Sequence, residues 1–124
     1  MAQIIITKNF SDSRGSLTVI DEKELGFSIK RVFNIYALQP GAERGGHGHK
    51  ESIIAMSCVS GSCDVYINDG KEISVLHLEN PYQFVVLQPH EWHKMLNFTH
   101  NTVIQVLASE LYNPDDYFYE EPKN

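Results

Sequence analysis

Arg44-Gly45-Gly46-His47-Gly48-His49-Lys50 is the stretch on which the reading of this chain turns. Histidines two residues apart on a strand project from the same face, so His47 and His49 would share one cavity. A lone histidine is ordinarily a core or surface residue, whereas a His-x-His pair behind a glycine-rich approach points to a ligand or catalytic site. A second segment, Pro89-His90-Glu91-Trp92-His93-Lys94-Met95-Leu96-Asn97, is a proline-led turn that delivers His93 to the start of another strand. It reads equally as a plain hairpin with Trp92 packed in the core.

Outward from these segments, Gly, Pro and Asn/Asp recur every ten residues or so, the spacing of an all-β sandwich or barrel. The runs Gln3 to Thr7, Ser16 to Ile20, Lys30 to Leu38, Ser52 to Val59 and Cys63 to Asn68 read as strands. So do Lys71 to Leu76, Gln83 to Leu87, Lys94 to Phe98 and Thr102 to Ala108. Asn68-Asp69-Gly70-Lys71 predicts a hairpin with a type I′ turn, and Ser60-Gly61 a second, weaker one. With Ser60 and Gly61 central, Cys58 and Cys63 would face each other across one ladder, as two reduced thiols. Only Leu111 to Tyr119 looks helical or irregular; Asn113 would cap a short turn there, and the segment would lie as a lid over one end of the barrel.

A chain of 124 residues with 42% hydrophobic residues buries one core, so a single domain over residues 1–124 is expected. The sequence contains no apolar run of about 20 residues, and its start lacks a basic-then-apolar export signal. Ten Lys+Arg against 16 Asp+Glu give a net charge of -6, the wrong sign for coating a phosphate backbone. The expectation is therefore a cytoplasmic protein that binds neither membrane nor nucleic acid, and the two cysteines, lacking CxxC spacing, agree with a reducing compartment.

The His-x-His and the later proline-turn-His together resemble the two motifs of the cupin superfamily, double-stranded β-helix (jelly-roll) barrels. Gly41, His47, His49 and Gly61 fall in register with the first motif, and His93 and Asn97 keep the His-x3-Asn spacing of the second. The second motif lacks its glycine, and its turn is one residue shorter. The carboxylate that usually completes a cupin metal set is replaced by Ile54. The expectation is a metal-free site with no cofactor, although three imidazoles can still hold a metal. Metal-free imidazoles, with pKa values near 6.5, suit proton transfer beside a carbonyl, as in isomerisation through an enediol.

A closer resemblance is carried by Arg31-Val32-Phe33-Asn34-Ile35-Tyr36, by the Arg44 to Lys50 segment, by Gly61, Asp69-Gly70 and Trp92-His93, and by Val106 to Tyr112 with Asp116-Tyr117. From about Phe10 to Tyr119 the chain is similar to the sugar 3,4-ketoisomerase family, departing at Gly48, where alanine is usual. The resemblance implies a metal-independent enzyme that converts dTDP-4-keto-6-deoxyglucose to its 3-keto isomer, in a homodimer with exchanged N-terminal strands. It implies His49 as the base at C3, His47 as the relay at C4, with the two interchangeable at this stage, and Tyr36 as a hydrogen-bonding group near the sugar. Arg44 would meet the pyrophosphate or the sugar oxygens, Arg14 the phosphate or the thymine, and Arg31, Lys50, Trp92 and His93 would complete substrate binding. Two other classes stay open on sequence: a three-histidine metal-dependent oxygenase on His47, His49 and His93, and a nucleotide-sugar-binding cupin without catalysis.

Overall fold

A computed structural model describes residues 2–124. The strands are β1 (Gln3–Ile6), β2 (Lys8–Asp12), β3 (Gly15–Val19), β4 (Arg31–Ile35), β5 (Arg44–His49) and β6 (Ile54–Ser60). They continue as β7 (Cys63–Asn68), β8 (Ile73–Leu78), β9 (Gln83–Leu87), β10 (Trp92–Leu96), β11 (Val103–Ala108) and β12 (Tyr117–Phe118). Two five-stranded sheets form, ordered β1-β9-β6-β11-β4 and β12-β5-β10-β7-β8, with β2-β3 as a separate ribbon. Every pairing is antiparallel. The fold is all-β, two antiparallel sheets facing each other, as expected for a jelly-roll barrel. Among the described residues no helix is long and apolar enough to cross a membrane.

The core follows from alternation. Ile54, Met56 and Cys58 on β6 face Cys63, Val65 and Ile67 on β7, with Val85, Leu87, Ile104 and Val106 closing the layer. The intervening residues Ala55, Phe84, Val86 and Leu107 turn to the outer face of the first sheet and pack with Leu25. Leu25 belongs to α1 (Glu22–Leu25), a single turn not foreseen in the sequence, capped by the Asp21 side chain on Lys23 N–H and ended by Gly26 at φ 86°.

Several local expectations change. Ser60-Gly61 does not close a hairpin: β6 and β7 belong to different sheets, so the turn carries the chain across the barrel. Cys58 and Cys63 therefore meet between sheets rather than across a ladder, as buried free thiols with sulfurs 3.6 Å apart. The β7-β8 hairpin forms, but Asn68 pairs with Ile73, which leaves a four-residue loop in which only Gly70 has positive φ. A type I′ turn needs two such residues. The Asp69 carboxylate satisfies the loop by accepting from Lys71 and Glu72 N–H. The strand expected to reach Leu38 stops at Ile35, and β2, β5 and β12 join those foreseen.

Phe84 is fully buried against Leu25, Ala55 and Leu107. Phe84→Ala should cost about 3–5 kcal/mol in urea unfolding; a loss below about 1 kcal/mol would mean that this outer layer contributes little.

Candidate active site

The glycine-rich approach to the histidines is a β-bulge. In the β5-β10 ladder His93 pairs with His47 but Lys94 pairs with Gly45, so Gly46 is the extra residue. Gly45 and Gly46 sit at φ 87° and 75°, and a Cβ on Gly45 would press the His93 carbonyl and Lys94 Cα at 3.1 and 3.2 Å. Only glycine fits this geometry without strain. Past the bulge the strand regains its alternation, which aims His47 and His49 into the barrel.

On the facing segment, the proline-led turn places positive φ on His90 (71°), the residue occupying the missing glycine's place, and β10 then turns His93 inward. His47, His49, His93, Arg44 and Tyr117 line one cavity of about 180 Å³, with Ile54 where a carboxylate was absent from the motif. That is below the roughly 300–1,000 Å³ of ordinary ligand pockets, so it takes one compact part of a ligand. Ring centroids lie 5.2 Å apart for His47 and His49 and 5.0 Å apart for His47 and His93. Tyr117 packs on both members of the pair, at 4.9 and 4.5 Å.

Asp116 is the functional residue that sequence reasoning missed. Its Oδ2 accepts from His49 Nδ1 at 3.0 Å and from Ser52 Oγ at 2.6 Å, and its Oδ1 accepts from Glu51 N–H at 2.7 Å. Asn113 caps the 3₁₀ turn Pro114–Asp116 as foreseen, by accepting from Asp115 N–H. In sequence Asp116 looks like its exposed neighbour Asp115; the one available signal was the Asp116-Tyr117 pair within the family resemblance. Burial works against the Asp116 carboxylate, but Ser52, the Glu51 N–H and His49 outweigh it and hold its pKa below the usual value. The anion fixes His49 with its proton on Nδ1 and leaves Nε2 free to accept.

Burial pushes His47 down to about 4, helped by repulsion from His49 and Arg44. His93, more deeply enclosed, is pushed by burial and by its two imidazole neighbours to about 3. Burial also lowers His49, and Asp116 opposes that shift. At neutral pH the cavity thus holds uncharged imidazoles, one of them backed by a carboxylate, which is the equipment for moving protons on a bound carbonyl compound. Among the described residues no cluster of three His, Cys, Asp or Glu has the arrangement of a metal site.

The other predicted residues divide. Arg44 borders the cavity, and Tyr36 lies beyond the end of β4, 70% exposed, in an adjoining depression that also includes Arg44. Arg31 stacks over Phe33 and Tyr112 at 5.3 and 5.7 Å, close enough for its charge to act on His49. Three residues are not brought to the cavity. Trp92 alternates with His93, so it stands on the opposite face of β10, where its indole N–H donates to the Tyr119 carbonyl at 3.0 Å. The Lys50 side chain is exposed. Arg14 sits at the tip of the β2-β3 ribbon, paired with Asp12 at 2.6 Å and away from the histidines of its own chain.

The family described as FdtA, WxcM-like, C-terminal, matches residues 1–123. A TDP-4-oxo-6-deoxy-alpha-D-glucose-3,4-oxoisomerase from Aneurinibacillus thermoaerophilus is 40% identical over 116 residues, 93% of this chain and 84% of that protein. A 3,4-ketoisomerase from Helicobacter canadensis superposes with a TM-score of 0.91 at 33% identity, over 96% of this chain and 90% of its own. QdtA, a sugar 3,4-ketoisomerase from Thermoanaerobacterium thermosaccharolyticum solved with TDP, gives 0.92 at 32% identity over 96% and 88%. A variant of QdtA is solved with TDP-4-keto-6-deoxyglucose.

His47 and His93 have folded pKa values of about 4 and about 3 against 6.5 for the free side chain. Between those values the unfolded chain binds more protons than the fold, so stability should be intact above pH 6.5 and fall as the pH drops toward 4. Urea midpoints across that range check the slope, and histidine NMR titrations check the values; His93 titrating near pH 6.5 would contradict its enclosure.

Proposed function

This chain belongs to the FdtA, WxcM-like, C-terminal family, and we propose that it is a metal-independent sugar-nucleotide 3,4-ketoisomerase acting on TDP-4-keto-6-deoxyglucose. The observation that carries this reading is the Asp116-backed His49 beside an uncharged His47 in one small cavity. The names of the relatives, QdtA and the Aneurinibacillus enzyme among them, supply the substrate class.

The reaction moves a carbonyl from C4 to C3 of the sugar. His49 Nε2 takes the C3 proton, and the C3–H electron pair forms the C3–C4 double bond as the C4 carbonyl becomes an enediolate oxygen. The O3 proton passes to O4, and proton return at C4 leaves the carbonyl at C3. His47 takes the proton held by the His49 imidazolium, which exchanges with solvent, and passes it to C4, so that both imidazoles end neutral, and the Tyr36 hydroxyl donates to the developing oxyanion once the sugar bridges the two depressions. Asp116 holds His49 in the accepting tautomer and stabilises the imidazolium that forms. The sugar fills the cavity beside His93, and the diphosphate extends past Arg44, with Arg31 stacked on Phe33, a residue of the cavity wall. Ile54 in place of a carboxylate removes an anionic metal ligand and keeps this wall of the cavity apolar, which favours neutral imidazoles.

We also read the protein as a single domain over residues 1–124 that works as a cytoplasmic homodimer. Among the described residues the β2-β3 ribbon has no third strand, and it exposes the cross-strand pair Phe10 and Leu17, at 57% and 59%. Seated on a second copy, the ribbon would bury that pair and carry Arg14 toward the partner's nucleotide. Lys50 and Trp92 act in this reading as supports of the site's outer wall.

Incubation of chelator-treated protein with TDP-4-keto-6-deoxyglucose in D₂O should yield a 3-keto sugar with deuterium at C4, read by proton NMR. Activity that returns only with added iron or manganese would instead establish the metal-dependent oxygenase class, and TDP binding with no exchange the non-catalytic one. His49→Ala should lower turnover by about 10²–10⁴ while leaving TDP affinity nearly intact. Phe10→Asp should convert a sedimenting dimer to monomer and, with Arg14→Ala, raise KM; a monomeric wild type would remove the exchanged arm.

A further inference from the structure

Gly48 lies between the two site histidines, and the conformation of its backbone does not ask for glycine, since its φ is not positive. What excludes a side chain is space. A Cβ on Gly48 would overlap the edge of the Phe118 ring and press the Glu91 carbonyl at 3.1 Å. Phe118 is the direct ladder partner of Gly48 in the β5-β12 pair, and Tyr117 is that of His49. The Phe118 ring also lies 6.3 Å from the ring of His90, whose N–H donates to the His49 carbonyl at 2.6 Å.

β12 has only two residues, so its ladder is too short to fix a register by itself. The segment nonetheless holds two groups of the site: Asp116 immediately before it and Tyr117 within it. One further backbone bond, Lys50 N–H to the Asp116 carbonyl at 2.7 Å, ties the start of this segment to the end of β5. Beside these bonds, and those that Ser52 and the Glu51 N–H make to Asp116 and Trp92 makes to the Tyr119 carbonyl, the ring in the Gly48 recess adds a steric constraint on register, because a phenylalanine seated where no Cβ exists can occupy one position along β5 and not the next.

We propose that Gly48 and Phe118 form a socket that sets the Asp116 carboxylate against His49, which makes both of them positioning residues for the base. This inference rests on the reading of His49 as base, and it concerns residues that touch no substrate. His49 is faced by His47 on its own strand, His93 on β10, Tyr117 on β12, Arg31 on β4 and Asp116 before β12. Of these, Asp116 is the group that favours the protonated imidazole. If the socket is filled, His49 loses that support and deprotonates at lower pH.

The test compares wild type, Asp116→Asn, Gly48→Ala, Phe118→Ala and the double variant Gly48→Ala/Phe118→Leu, by nitrogen-15 NMR of the imidazoles and by steady-state kinetics. Gly48→Ala should reproduce the Asp116→Asn spectrum: the Nδ1–H signature of His49 is lost and its titration moves to lower pH. Turnover should fall by about a hundredfold, with KM little changed, as for a catalytic group displaced by about 1 Å. The double variant should restore both signature and turnover, because a leucine makes room for the added methyl. Phe118→Ala, which leaves Gly48 untouched, should loosen His49 in the same sense and decides the matter if Gly48→Ala does not fold. An unaltered His49 spectrum in Gly48→Ala or Phe118→Ala, or a folded double variant that stays impaired, would overturn the socket. A wild type without isomerase activity would sink the isomerase reading, while the spectra would still decide the socket.

Discussion

A buried carboxylate that accepts three hydrogen bonds ties the site together. Asp116 takes one from Ser52 Oγ, one from the Glu51 N–H and one from His49 Nδ1. Those donors lie at the end of β5 and in the connection to β6, whereas the carboxylate belongs to a segment that follows every strand of the barrel except β12. The same anion therefore closes the fold at this end and orients the His49 imidazole. A burial cost that would otherwise neutralise the group is outweighed by these three donors, so the charge persists beside His49.

Around that anion the cavity is built to keep its imidazoles uncharged. His47 and His93 are depressed far below neutral pH, both by enclosure first, His47 then by His49 and Arg44 and His93 by the other two imidazoles, and His49 alone has a carboxylate to oppose the trend. Unequal surroundings give chemically identical side chains different proton affinities, which is how one cavity can set separate proton-transfer tasks to each. The apolar Ile54 is part of this arrangement, since a carboxylate there would raise the pKa values of its neighbours and favour a cation in the pocket.

Much of this was legible in the sequence where local pattern and burial agree. β6, β7, β9 and β11 alternate cleanly because one face of each meets the core. His47 and His49 were readable as a pair because they share a strand face. β2 escaped notice because Lys8-Asn9-Phe10-Ser11-Asp12 has no buried face within the chain, and β5 because its bulge glycines look like loop. The Ser60-Gly61 turn says that the chain reverses but not which sheet the next strand joins. Trp92 was drawn toward the substrate by its neighbour His93, although adjacent residues on a strand face opposite ways. Asp116 was invisible for a different reason: its partner is 67 residues away, and no local rule relates the two.

That separation also orders events during synthesis. β5 can enter its sheet once β10 has emerged, but the β12 pairing waits until Phe118 has left the ribosome. The histidines can thus be gathered before they receive their carboxylate, which arrives with the same segment that later bonds Trp92, Tyr66 and Asn68 through Tyr119, Glu121 and Pro122, in a barrel already dominated by non-local contacts. A nascent chain can therefore pass through a stage in which the walls of the cavity exist and the carboxylate beside His49 does not, so the protonation pattern of that imidazole is set only on completion of one short strand.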